Sequence, residues 1–158
     1  IYTLSLHDAL PISSWDFYGD ADKIFGSKKA ARQIVKTMFA NFDYKILSSK
    51  KVDDNNVTLR VKITNVDMNK VVPKWYKDLM SYAAANPSIA TDKNAIMAKT
   101  FDILKTDIDQ AAKDKNFASK TITIKMKKVK GEWKIKNPDD KMLDAMLGGF
   151  QSAVSNLN

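Results

Sequence analysis

The chain has 158 residues, 44% of them apolar, which suits one globular domain with an ordinary core. It has no cysteine, which excludes a disulfide framework and thiolate metal sites, and no run approaching the roughly 20 apolar residues of a membrane span. The formal net charge is +8, carried almost wholly by lysine: Arg32 and Arg60 are the only arginines. Lysine is a mobile point charge without the planar fork that reads guanine or grips phosphate bidentately, so sequence-specific nucleic-acid recognition is disfavoured.

In chain order, residues 1–12, "IYTLSLHDALPI", resemble the translation of a short-read library adapter, and lack the basic n-region of a natural leader. We set them apart from the fold. With them go Asp8 and the only histidine, His7, leaving 26 basic against 17 acidic residues. Residues 13–26, "SSWDFYGDADKIFG", are aromatic and aperiodic and read as a loop or a truncated N-terminal region. The single α+β domain is expected over 27–150, and 151–158 as a tail.

Within that domain, Ser27 is the expected N-cap of a helix whose Ala31, Ile34, Val35, Met38, Phe39 and Phe42 share one face. An extended run with Tyr44, Ile46 and Val52 follows, then the turn "DDNN" at 53–56. Val57, Leu59, Val61 and Ile63 next alternate with polar residues, which makes a hairpin. Asp67 can cap a second helix with Met68, Val71, Val72, Trp75, Leu79, Met80 and Ala83 on one side. That helix stops at Asn86 and Pro87, and Pro73 suits only its first turn. A third helix, from about Asp92 to Lys115, carries the seam Met97, Phe101, Leu104, Ile108 and Ala111 and should pack antiparallel to the second. Ile122, Ile124 and Met126 alternate again, a turn falls near Lys130 and Gly131, and Trp133 and Ile135 complete a second hairpin. Asn137 and Pro138 read as the cap and first position of a short helix with Met142, Leu143, Met146 and Leu147, ending at Gly148 and Gly149. The sum is an antiparallel sheet of about four strands, in two hairpins, with helices on one face.

The stretches "MFANFDYKILSSKKVDDNNVTLRVKITNVDM" and "KGEWKIKNPDDKMLDAMLGGF", with the helical pair between them, resemble secreted lipoproteins of unknown function common in Firmicutes. The resemblance covers about residues 27–150. It implies a curved sheet of nuclear-transport-factor-2-like or cystatin-like fold. It also implies an extracytoplasmic protein lipid-anchored to the membrane through an N-terminus missing here.

Catalytic chemistry finds little support. Acyl transfer and hydrolysis lack their usual histidine base and cysteine nucleophile. Steroid isomerases and dehydratases of the resembled fold place an aspartate in the cone between helices and sheet, for which Asp43, Asp102 and Asp109 are the candidates. None has a recognisable partner, and aspartates on helices face solvent by default. Asp107 and Asp109 point about 200° apart on a helix and cannot share an ion. The "DDNN" turn and Asp139 with Asp140 are explained by turn and cap chemistry. No cofactor or metal is expected.

Trp75, Tyr76 and Tyr82, with Trp15, Phe17 and Tyr18, are candidate pocket aromatics, though core packing is the commoner role of such residues. Met80, Met97, Met126, Met142 and Met146 read as core filler. Alternation sends Arg60, Lys62, Lys125, Lys127, Lys134 and Lys136 to the polar side of the strands, where paired hairpins would gather them into one basic face. A solvated face explains this too. The functional reading is salt-sensitive docking to cell-wall polymer, a membrane surface or an acidic protein. The reading is thus a non-enzymatic extracytoplasmic binding module. The alternative is a cone-shaped small-molecule pocket with weak isomerase-like chemistry.

Overall fold

The computed structural model describes residues 28–157, with the side chains of residues 28–31 and 90 excepted. The expected cap at Ser27, the segment 13–26 with Trp15, Phe17 and Tyr18, and residues 1–12 lie outside the described residues.

The order of elements follows the periodicities. Helix α1 (Lys28–Phe39) leads into β1 (Asp43–Asp53) and β2 (Asn56–Val66), and then comes α2 (Met68–Ala85). A 3-10 turn (Pro87–Thr91) joins α2 to α3 (Lys93–Lys113), and β3 (Phe117–Val129), β4 (Glu132–Ile135), α4 (Asp140–Met146) and α5 (Phe150–Ser155) complete the chain. The four strands form one antiparallel sheet in the order β1-β2-β3-β4, with helices packed against it, so the fold is α+β.

Local chemistry sets the boundaries. The carboxylates of Asp67 and Asp92 cap α2 and α3 by accepting from the amides of Asn69 and of Asn94 and Ala95. Pro73 sits in the second turn of α2, where its missing N–H releases the Asn69 carbonyl, and both residues are exposed, so water can take its place. At the end of α3 the Asn116 amide reaches back to the Ala111 carbonyl at 2.9 Å while Lys115 takes a left-handed φ of 56°, which is a Schellman stop. The β3–β4 hairpin closes on Lys130 and Gly131, whose φ values of 51° and 88° are the two positive angles of a type I′ turn.

Two apolar clusters hold the layers together. Leu59, Val61, Ile63, Ile124 and Met126 on the inner sheet face meet Met142, Ala145 and Met146 of α4. Ile34 and Met38 of α1 meet Val71 and Val72 of α2 and Leu104, Ile108 and Ala111 of α3, with Ala153 of α5 alongside. Each fully buried Leu, Ile or Met contributes roughly 1.5–3 kcal/mol. Asn65 stands at the junction of the clusters, next on the inner face after Ile63. Its Nδ2 donates to the carbonyls of Met38 (2.9 Å) and Met146 (2.7 Å), and its Oδ1 accepts from the Val66 amide at 2.8 Å.

Several expectations need correction. Residues after Gly149 are not a tail: α5 docks through buried Ala153, and the Asp144 carboxylate accepts from the Ser152 amide and, at 2.6 Å, from its hydroxyl. The cap of α4 is Asp139, whose carboxylate accepts from the Met142 amide, while Asn137 adopts a left-handed φ of 49° ahead of Pro138. Val52 is 62% exposed because a bulge at Leu47 shifts the phase of β1, and Met80 is 46% exposed instead of buried. Asp107, expected to face solvent, is buried between α3 and α2.

Candidate binding surface

Strand register decides which cations meet. Across the outer face, Lys45 of β1 stands opposite Lys62 of β2, and Lys50 stands opposite Thr58. Thr58 in turn faces Lys125 of β3, Arg60 faces Thr123, and Asn56 faces Lys127. Lys127 is opposite Lys134 of β4, and the Lys136 amide donates to the Lys125 carbonyl at 2.8 Å, which makes those two neighbours as well. All six basic residues expected on this face are exposed and share it. Lys45 and Lys50 join them.

The eight cations occupy a patch of roughly 15 Å across the strands by 20 Å along them, at ~4.8 Å per strand and ~3.3 Å per residue. Three pairs, Lys45–Lys62, Lys125–Lys136 and Lys127–Lys134, are like charges directly opposed, an arrangement that destabilises a sheet. Among the described residues, the only ion pair to any of the eight is Lys134–Glu132 at 3.9 Å. Helix lysines are treated differently: Lys74 pairs with Asp78 and Asp107, Lys99 with Asp102, and Lys105 with Asp109. Asp43, opposite Thr64, and Glu132, opposite Val129, are acids at the margins of the same face, so eight cations outnumber them and the face is left positive.

Sequence reasoning missed Lys45 and Lys50 for different reasons. Lys45 lies between inward Tyr44 and Ile46, so plain alternation was enough to find it. Lys50 comes after the Leu47 bulge, and no residue pattern announces a bulge there.

The aromatic candidates do not converge. The Trp75 indole N–H donates to the Thr100 carbonyl at 3.1 Å in the α2–α3 seam, Tyr82 lies 5.0 Å beneath the Lys99 ammonium, and Tyr76 is exposed. None lines either of the two described clefts. One cleft, of about 160 Å³ at the open end of the inner face, has Ile46, Val57, Leu59 and Trp133 for its floor and Lys51, Asp53 and Asp54 at its rim. The other, of about 280 Å³, lies where β4 leaves β3. Both are smaller than the roughly 300–1,000 Å³ of typical small-molecule sites.

Of the candidate acids, Asp43 is exposed at the start of β1, while Asp102 and Asp109 sit on α3, paired with Lys99 and Lys105. Asp53 serves its turn: it accepts from the Asn56 side chain and the Asn55 amide, and these bonds, with Lys51 nearby, hold its carboxyl below the usual range. Among the described residues, no three side chains of metal-ligating type gather, and no helix is long and apolar enough to cross a membrane.

Asp107 is the polar residue that sequence reasoning misplaced. Its side chain is 3% exposed, its Oδ1 accepts from Lys74, and its Oδ2 has no partner. The Asp107 carboxylate, and after it Asp78, raises Lys74 above the ordinary lysine value. A signal was present: Asp107 is three residues after Leu104 and four before Ala111, on the seam itself. Comparison with family models, curated proteins and solved structures finds no match to this chain.

Proposed function

We propose that this domain is a non-enzymatic binding module that docks its outer sheet face on a polymer of repeating anionic groups, such as a phosphate-bearing cell-wall polymer. The carrying observation is the concentration of eight cations, three pairs directly opposed, on a face whose acids, Asp43 and Glu132, stand at its margins. Solubility alone does not require like charges to be set opposite one another, since the helices interleave theirs with acids. A polyanion would relieve that repulsion on binding. The hydroxyls of Thr58 and Thr123, between the cations, supply neutral donors to phosphate or sugar oxygens. The face carries no large apolar side chain at its centre to enter a bilayer, which favours a polymer over a membrane.

An extracytoplasmic, lipid-anchored setting is part of the same proposal. It rests on the lipoprotein resemblance, as does the nuclear-transport-factor-2-like or cystatin-like form of the sheet. Cell-wall polymer would then be within reach.

Retention on immobilised polyphosphate, against neutral dextran, tests the docking. Retention should fall steeply between 50 and 500 mM NaCl, and Arg60→Glu with Lys62→Glu should weaken it at least tenfold. Equal weakening by Lys77→Glu with Lys105→Glu, on the helices, would show that only net charge matters and would defeat the assignment to this face.

A further inference from the structure

The sheet has a second feature that the polyanion reading does not use. Strand β3 is 13 residues long, but β4 covers only Met126 to Val129 of it, and the last bond between them runs from the Lys136 amide to the Lys125 carbonyl. The next residues of β4 would face Ile124 and Thr123. They are Asn137, whose left-handed φ of 49° turns the chain away, and Pro138, which has no N–H to give. The edge of β3 from Phe117 to Thr123 is therefore uncovered by β4. Because the Lys128 amide bonds to Asn55 on the β2 side, and the Lys125 carbonyl bonds on the β4 side, alternation turns the N–H and C=O groups of Ser119, Thr121 and Thr123 outward. All three residues are exposed.

We infer that this edge of β3, open among the described residues, receives an extended segment of a partner protein as a fifth, short strand in line with β4, with acidic and apolar residues alternating along it. The outer side of such a strand would lie beside Ser119, Thr121 and Thr123, and next to Lys125 and Lys136. The inner side would lie beside Ile122 and run into the 280 Å³ cleft lined by Ile124, Ile135 and Met142, with Asn137 and Asp139 at its mouth. Lys125 and Lys136 also line this cleft against the single carboxylate of Asp139, which is turned to the α4 cap, so the balance of charge at that corner is positive. An acidic side chain on the outer side and an apolar one on the inner side complete both faces.

A second copy of the chain is the less suitable occupant. Pairing two β3 edges would set two basic faces side by side, and exposed Lys120, on the inner side opposite Ile63, is the kind of charge that discourages edge-to-edge self-association. At the other edge, β1 is interrupted by its bulge at Leu47, which leaves β3 as the straighter template.

The test uses the whole chain and a blocked heptapeptide alternating aspartate and valine, followed by NMR. Binding should move the amide signals of Ser119, Thr121 and Thr123 and slow their hydrogen exchange at least tenfold. Thr121→Pro deletes an N–H that the β2 ladder does not use, and should weaken binding at least tenfold. A peptide N-methylated at alternate residues, which leaves the protein untouched, should lose binding to the same degree. Shifts confined to Lys45, Arg60 and Lys62, or undiminished binding of the N-methylated peptide, would overturn the strand-addition site. A peptide-free dimer dispersed by Thr121→Pro would overturn the acidic partner in favour of self-pairing.

Discussion

Replacing Asn65 should cost more than any other single polar substitution on the inner sheet face. Its amide joins three elements: it donates to carbonyls in the last turns of α1 and α4, at Met38 and Met146, and accepts from the backbone of β2 at Val66. The orientation of the amide is fixed by its surroundings, since two carbonyl oxygens within 2.9 Å require the nitrogen on that side. In Asn65→Leu the volume is nearly kept, but both carbonyls and the Val66 amide lose their partners in a site 2% exposed. At about 1–3 kcal/mol for each buried group left unsatisfied, with relaxation recovering part, the loss is about 3–5 kcal/mol. That is a large share of the ~5–15 kcal/mol that holds a domain of this size, and corresponds to a fall of roughly 10–20 °C in Tm. Urea unfolding followed by tryptophan fluorescence reads it as a lower midpoint at unchanged slope. A loss below about 1 kcal/mol in Asn65→Leu would refute the reasoning, because the site would then need only bulk.

Other outcomes follow from features already described. Lys74→Met strands a buried carboxylate and should lower stability by about 2–3 kcal/mol by urea unfolding, with Lys74→Met/Asp107→Leu recovering most of it. Lys74 is raised above 10.5, so its contribution is complete below that pH and is lost as pH rises through the higher folded value; the gap between wild type and Lys74→Met should be constant to about pH 10 and narrow beyond. Gly148→Ala should cost about 3 kcal/mol or more, read as lost folded yield or a lower Tm. Its φ is +66°, and a Cβ would fall 2.1 Å from the Val66 carbonyl oxygen. Asp53→Ala should loosen the β1–β2 turn. Because Asp53 is held below 3.8, the difference from wild type should be full above that pH and vanish on acidification, which an acid-unfolding series can follow. Finally, 500 mM NaCl should raise the Tm of the free protein by screening the opposed lysines while it releases bound polyphosphate. Parallel responses of stability and binding would count against the opposed pairs as the source of both.

Most of the architecture was legible because its signals are local. Val57 to Ile63 alternate, Leu104 to Ala111 keep helical spacing, and Asp67 and Asp92 stand where caps belong. The basic face was legible in part for the same reason: alternation alone sends Arg60, Lys62, Lys125 and Lys127 outward. What escaped depends on contacts distant in sequence. The burial of Asp107 requires Lys74 from another helix, the role of Asn65 requires the ends of α1 and α4, and the helix after Gly149 is held by Asp144. The Leu47 bulge, which moved Lys50 onto the face and Val52 off the inner side, exists only because β2 offers one residue opposite two.

The central ladder has a consequence for the order in which the molecule assembles. Strands β2 and β3 pair over eleven consecutive positions, yet the partners are roughly 50 to 70 residues apart, because the whole α2–α3 hairpin is inserted between them. Both strand hairpins and the helix pair can form from near neighbours, whereas the ladder that unites them must close a long loop. Loop-closure entropy and contact order predict that its closure is slower than formation of either hairpin or of the helix pair. It is also the step that first brings Thr58 against Lys125 and Arg60 against Thr123, so it joins the two halves of the positive face, each with opposed lysines already set within its own hairpin. A chain in which that ladder is open presents the lysines on two separate hairpins, and an extended anion would find two small patches in place of one continuous surface.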